Sequence, residues 1–533
     1  MKRIDLFLLL APLLASLSGC QSAKPEDIVI LYTNDVHCGY AENLGYSGVA
    51  SLKKELQKQG TPTLLVDVGD AVQGDNYGSL SKGEASIALM NASDYDLATL
   101  GNHEFDYGFE QLDHLMDLAD FPYICCNLTN LETHKDYLPP YLIKDIGNRK
   151  IGFLGIDTPT SLTESTPKYF QNAHGEFIYT FYEGEGGRTF YDRVQATVDS
   201  LKQEKVDYVI ALAHLGGEDS VKPYRSKDLL ANVSGIDVCL DGHSHEVMES
   251  EIVKDKQGKE VILSQTGTKL ECIGKLSIGK DGSLKTELIH EYDGKDAEVD
   301  EIYRGIAATY SAKLDQVIGH AAFDLTILGE DGKRLVRSGE TNLGDLTADA
   351  FKESGKADIG IVNGGGVRAG IGKGDITLND VLKVFPFMNA LAKVSMSGQE
   401  ILDELEFSCY SLPGEFGGFL HASGLTYTVD LSIPSSVTLN DEGQFLPLAS
   451  GVQRRVRNVK VAGEAIDPNK SYSVASNDYI LTGGNGYPTF KNTRLPVEDK
   501  LDWEVLQDFF VAHPDLSAYA NLGGDGRVEI VGR

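Results

Sequence analysis

The chain reads as an α/β (α+β) protein of two domains, and three observations predict it. At 533 residues it is too long for one hydrophobic core. Its first half repeats one pattern, a short run of Val, Ile and Leu that stops abruptly in a polar, glycine-containing loop. Between those runs lie segments with apolar residues at helical spacing. Runs apolar on both faces are the pattern of buried strands, and the ligand-bearing loops of open α/β sheets gather at strand ends.

Residues 1–20 form a targeting segment outside the fold. Lys2 and Arg3 precede an apolar run, residues 6–17, too short to span a membrane. The following Leu17-Ser18-Gly19-Cys20 resembles a bacterial lipobox, a signal cut before its cysteine, whose thiol receives a lipid. A plain signal peptide that happens to contain a cysteine is the other reading. No later stretch reaches the ~18 apolar residues of a membrane-spanning helix. The protein is therefore expected to be extracytoplasmic, periplasmic or at the cell surface, and to touch the membrane only through the lipid on Cys20.

In the N-terminal domain, residues 27–298, the run 28–32 leads into Thr33-Asn34-Asp35-Val36-His37. Residues 63–66 lead into Asp67-Val68-Gly69-Asp70, and 97–100 into Gly101-Asn102-His103-Glu104-Phe105-Asp106. Residues 208–213 lead into His214-Leu215-Gly216-Gly217, and 236–240 into Asp241-Gly242-His243-Ser244-His245. Helices are expected at 84–91, 109–119 and 190–204. A helix over 299–316, with sparse apolar positions at Ile302, Ile306 and Leu314, reads as a bridge between domains. The C-terminal domain, 317–533, has a helix at 343–353, a strand at 359–362 and a β-rich section at 425–473. Two glycine loops mark it, Asn363-Gly364-Gly365-Gly366-Val367-Arg368 and Gly483-Gly484-Asn485-Gly486-Tyr487.

The formal charge of −31 argues against nucleic-acid polymers and anionic lipid as major partners, because both need a basic footprint. A small anion held by local cations remains open, since a metal site reverses the local field. Besides Cys20 there are six cysteines with no Cys-x-x-Cys, which disfavours a zinc ribbon or thioredoxin-type site. Cys125 and Cys126 sit side by side in an apolar run and read as packing. Disulfides are compatible with export, but sequence does not choose a pairing.

The five loops together offer Asp35, His37, Asp70, Asn102, His103, His214, His243 and His245, an N/O donor set without thiolate that suits Zn, Mn or similar divalent ions. Any one of these histidines alone is more often an ordinary surface or core residue. Five such loops, each ending an apolar run, are hard to obtain by chance.

The motifs Asp35-Val36-His37, Gly69-Asp70, Gly101-Asn102-His103-Glu104, the His214 loop and Gly242-His243-Ser244-His245 resemble those of calcineurin-type metallophosphoesterases. From residue 28 to the end, the chain resembles the bacterial, periplasmic 5′-nucleotidase / UDP-sugar hydrolase family. That resemblance implies an N-terminal four-layer metallophosphoesterase sandwich, joined by a helix to a C-terminal α/β nucleotide-binding domain. It implies two divalent metal ions, one held by Asp35, His37, Asp70 and His245, the other by Asp70, Asn102, His214 and His243. Members of the family vary at the position of His245. Two cations ~3.5–4 Å apart clamp the attacking and leaving oxygens of an in-line displacement, and coordinated water becomes hydroxide near neutral pH.

The resemblance further implies that His103 acts in catalysis with Asp106 fixing its tautomer, although Asp106 in isolation also fits a loop carboxylate or helix cap. For substrate it implies Arg368 on the phosphate, Phe419 and Tyr479 stacked on the base, and contacts from Asn485 and Asn389. A Gly-Gly-Gly-x-Arg is also what a turn looks like, and the other place for Phe419 is the core. Asn485 stands where many members carry Asp, which leaves substrate preference open. The expected activity is that of a 5′-nucleotidase acting as a monomer on small nucleotides. The alternatives are a 2′,3′-cyclic phosphodiesterase with 3′-nucleotidase activity, a UDP-sugar pyrophosphatase, and a nucleotide-binding lipoprotein without catalysis.

Overall fold

The computed structural model describes residues 27–172, 176–440, 443–449, 451–488, 498 and 500–532. The targeting segment and Cys20 lie outside the described residues. The parallel strands Ile28–Thr33, Thr63–Asp67, Leu97–Thr99 and Tyr123–Ile124 make up most of one six-stranded sheet, which Ile273–Ile278 and Leu284–Ile289 extend antiparallel. A second six-stranded sheet runs in the order Val247–Lys254, Glu260–Thr266, Val238–Asp241, Tyr208–His214, Arg149–Asp157, Tyr141–Ile146. Its middle strands are parallel and its two edges antiparallel.

Strand side chains alternate between faces, and the packing follows that period. Ile30, Tyr32 and Val66 point between the sheets, where they meet Phe153, Ile210 and Leu212 of the other sheet. Val29, Leu31 and Leu65 point outward to the helices Gly45–Lys58, Glu84–Ala92 and Phe109–Leu118. On the far side, Leu154, Val209 and Ala211 face Arg188–Gln203 and Ser226–Asn232. The result is a four-layer sandwich, helix on sheet on sheet on helix. Both faces of each sheet are apolar because each is covered, which is why these strands read as continuous hydrophobic runs.

The helix Ala297–Leu314 is capped by Asp296, whose carboxylate accepts from Glu298 N and Val299 N. Val299, Ile302 and Ile306 press against the first domain's core. Leu314 and Tyr310 pack with Leu378, Leu382 and Trp503 of the second domain. The few apolar residues of this helix are thus divided between two bodies.

The second domain is built on the sheet Leu391–Ser397, Ser471–Asn477, Ile359–Asn363, Leu420–Ser423. Helices Asn342–Gly355 and Asp502–Ala512 cover one face. Helix Gly398–Ser408 and a smaller sheet containing Leu425–Asp430 and Val456–Val461 cover the other. Cys38, Cys125, Cys126, Cys239, Cys272 and Cys409 are free and buried. Cys125 packs in the core outside the first sheet and Cys126 in the core on the far side of the second. No helix of the described residues is long and apolar enough to cross a membrane.

Candidate metal centre and substrate cavity

Asp35, His37, Asp70, His243 and His245 all sit at the ends of first-domain strands with positive φ, between 44° and 76°. This left-handed backbone costs L-residues about 1–2 kcal/mol each, and such strain collects where tertiary structure must aim a side chain. The loops are fastened to one another. Asp35 N donates to Gly69 O at 3.0 Å and His37 N to Asp70 O at 2.9 Å. The buried Glu104 carboxylate accepts from Asp70 N, Ala71 N and Gly101 N at 2.8, 2.9 and 2.6 Å. At Gly101 a Cβ would collide with Asp70 Oδ1 and the His214 ring, so only glycine lets these loops close up.

Two triads of donor atoms result, Asp35/His37/His245 and Asp70/His214/His243, each with its atoms within 4.8 Å of one another. Asp70 Oδ2 lies 3.6 Å from His37 Nε2 and 3.1 Å from His214 Nε2, so one carboxylate stands between the triads. Asn102 Oδ1 is 2.9 Å from His243 Nδ1. Further contacts orient four of the histidine rings. His37 Nδ1 meets Gln73 O at 3.0 Å, His214 Nδ1 meets Val68 O at 2.8 Å, and His103 Nδ1 meets Asp106 Oδ2 at 2.7 Å. His243 uses the other atom, its Nε2 lying 3.2 Å from Glu164 Oε2. Such partners fix tautomer and ring orientation for a ligand.

The donor set fits divalent ions on this geometry. His214 is fully buried and its Nε2 faces the cluster, with Asp70 Oδ2 at 3.1 Å. Burial alone would drive the His214 imidazole neutral, but Asp70 and Asp35 outweigh it and hold its pKa well above the usual value. His103 is likewise raised to about 9, with Asp106 and Asp70 overcoming burial. Burial dominates at His37, which falls to about 4. Packed carboxylates that recruit protons onto neighbouring imidazoles are positioned to exchange those protons for a metal cation.

A cavity of about 1080 Å³ opens from this centre into the second domain. Asn102, His103, Asp106 and His243 line it from the first domain. Arg337, Arg368, Asn389, Phe416, Tyr479 and Asn485 line it from the second domain. Among the described residues, the structure brings all but one of the expected site residues together. The exception is Phe419. It is 0% exposed, belongs to the second domain's core and does not line the cavity. Strand Leu420–Ser423 begins immediately after it, and this turns its ring inward against His421. Phe416, on the outer side of Gly417-Gly418, is the aromatic that faces the cavity.

Several cavity residues carried no functional signal in the sequence reading. Arg337 comes from a separate loop, and partial burial together with Arg368 lowers its pKa to about 10. Phe387 lies under the Arg368 guanidinium, 5.6 Å from ring centre to Cζ. Glu164 and Ser165 approach His243 and Asp106 from the C-terminal end of the short helix Ser161–Glu164, which carries no ligand motif. The sequence Arg334-Leu335-Val336-Arg337, two cations flanking an apolar pair, was the one available hint of an anion site.

A four-layer α/β sandwich carrying two adjoining N/O triads at its strand ends defines a metal-dependent phosphoesterase. Residues 28–247 match the model of the calcineurin-like phosphoesterase family, and residues 317–492 match that of the 5′-nucleotidase C-terminal domain. The chain belongs to the bacterial 5′-nucleotidase family that unites these two domains, and it is a hydrolase of nucleotide phosphoesters. It is 29% identical to the 5′-nucleotidase of Vibrio cholerae, over 96% of this chain and 97% of that protein. It is 28% identical to the trifunctional nucleotide phosphoesterase protein YfkN of Bacillus subtilis over 87% of this chain, and spans only 32% of that protein's length. The solved structure of a 5′-nucleotidase precursor from Thermus thermophilus superposes with a TM-score of 0.72 at 27% identity, covering 95% of this chain and 100% of that one.

Proposed function

We propose that the protein is a 5′-nucleotidase that releases phosphate from extracytoplasmic nucleotides. The observation that carries this reading is one cavity lined by groups suited to both halves of a nucleotide, the carboxylate–imidazole cluster and two arginines for the phosphate, Phe416 and Tyr479 for the flat base. Asp35, His37, Asp70 and His245 would hold one divalent ion, and Asp70, Asn102, His214 and His243 a second. When bound, such ions supply Lewis acidity and an acidified water.

The chain's own residues do the rest. Arg368 and Arg337 orient the phosphate, with a planar guanidinium suited to bidentate contact. Phe416 and Tyr479 flank the base, and stacking is worth ~1–3 kcal/mol per base. Asp106 holds His103 Nδ1–H, which leaves Nε2 to give hydrogen bonds to phosphoryl oxygen or a proton to the departing oxygen. Remote binding energy from the base positions the reacting phosphate. Lipid attachment at Cys20 and residence outside the cytoplasm belong to the same proposal, supported by the lipobox-like Leu17-Ser18-Gly19-Cys20, and monomeric action is proposed with them.

The test is hydrolysis of AMP, ATP, UDP-glucose and 2′,3′-cyclic AMP with Mn, Zn, Co or Mg, each with and without chelator. Chelator-sensitive release of phosphate from AMP is expected. Turnover of the cyclic diester or the nucleotide sugar with AMP untouched would overturn the 5′-nucleotidase assignment.

A further inference from the structure

One short segment of the first domain touches cavity residues of both domains. Thr163 O accepts from Tyr479 Oη at 2.9 Å. Glu164 Oε2 lies 3.2 Å from His243 Nε2. Ser165 Oγ donates to Asp106 Oδ1 at 3.0 Å. Thr166 Oγ1 donates to Asn389 Oδ1 at 3.3 Å. Lys168 Nζ pairs with Asp478, the residue before Tyr479. Two of these contacts lie within the first domain, and three reach across to the second.

The contacts to the second domain converge on one place. Asp478 is only 3% exposed, and its other oxygen accepts from Ala390 N at 2.9 Å. It opens the short helix Asp478–Leu481 that carries Tyr479. Lys168 is the cation facing this buried carboxylate from the first domain. The Tyr479 hydroxyl also accepts from Asn485 N at 3.2 Å, so one phenol joins the strap, the base-flanking ring and the Gly483–Gly486 loop.

We propose that residues 163–168 are a coupling strap, with Lys168 as a positioning residue, that makes chemistry at the phosphate depend on engagement of the base. The strap rests on the nucleotide reading given above. A base held against Tyr479 orders Thr163 and Lys168, and the same backbone carries Ser165 to Asp106 and Glu164 to His243. Nucleotides then gain over baseless esters through the orientation of His103 and His243, in addition to tighter binding.

The experiment compares AMP with p-nitrophenyl phosphate in the full-length, metal-loaded protein. Lys168→Met and Lys168→Gln should lower kcat/KM for AMP by ~10-fold, part of it in kcat, since small misplacements of a reacting group have effects of this order or larger. Metal content and the rate on p-nitrophenyl phosphate should stay within about two-fold of the parent, and Lys168→Arg should restore AMP turnover. Parallel losses on both substrates, or unchanged AMP turnover in both variants, would overturn the strap. A parent protein that hydrolyses no nucleotide with any metal would instead sink the reading of function.

Discussion

The imidazole of His103 lies almost parallel to the ring of Phe387, with 13° between the planes and 5.8 Å between centroids. The two residues belong to different domains, and Phe387 also carries the Arg368 guanidinium. One aromatic ring therefore packs against both His103 and Arg368, the two residues proposed to act on the phosphate. Phe387→Ala should lower kcat on AMP and on p-nitrophenyl phosphate alike, by ~10-fold, because both substrates need those two residues held in place. Steady-state kinetics with metal content measured alongside checks it, and a change confined to KM would contradict it.

His103→Ala should leave bound metal intact and lower kcat by ~10²–10⁴, as expected for loss of a general acid or oxyanion donor. Its ring contacts Asp106 through Nδ1 and is absent from both donor triads. Loss of metal in this variant would place His103 among the ligands.

The two phenylalanines around Gly417-Gly418 should separate cleanly. Phe416→Ala should raise KM for AMP and spare p-nitrophenyl phosphate, which has no base. Phe419→Ala should lower folding stability by ~3–5 kcal/mol, the range for deleting a buried phenylalanine, with parallel effects on both substrates. Urea denaturation together with the two assays distinguishes them, and a wild-type unfolding midpoint for Phe419→Ala would contradict its buried position.

The same pair shows where sequence reading reaches and where it stops. The metal donors were legible because each lies within a few residues of an apolar run's end, so strand and ligand are read together. Phe416 and Phe419 flank a flexible Gly-Gly, and composition does not say which ring turns inward. Register against Ile359–Asn363 decides that, through the pairing of Leu420 with Asn363. Arg337, Phe387 and Glu164 meet the cavity only through tertiary approach, so no local spacing marks them. The positive φ of Asp35 and His37 is equally invisible, being imposed by loops far apart in sequence. The strand Arg149–Asp157 went unread because its polar start and two glycines dilute the apolar run.

Stability should depend on His421 below neutral pH. It is fully buried, Nε2–H donates to Val336 O at 2.8 Å, and burial lowers its pKa from 6.5 to about 4. Between those values the unfolded chain binds a proton that the folded chain refuses. This contribution to stability is whole above pH 6.5 and is lost as the pH falls toward 4. From pH 7 to 5 it amounts to about 2 kcal/mol. Unfolding free energies of the parent and His421→Gln at the two pH values should differ in slope by that amount, and identical slopes would contradict a neutral, buried imidazole.

Asp70 Oδ2 lies 3.6 Å from His37 Nε2 and 3.1 Å from His214 Nε2, and we propose that this carboxylate would bridge two ions. Elemental analysis of the parent and Asp70→Asn, each loaded with Mn or Zn and desalted, tests it most directly. About two ions per chain are expected in the parent, with loss from both positions, together with phosphoesterase activity, in the variant. Asp70→Asn that keeps the parent's metal content would contradict it.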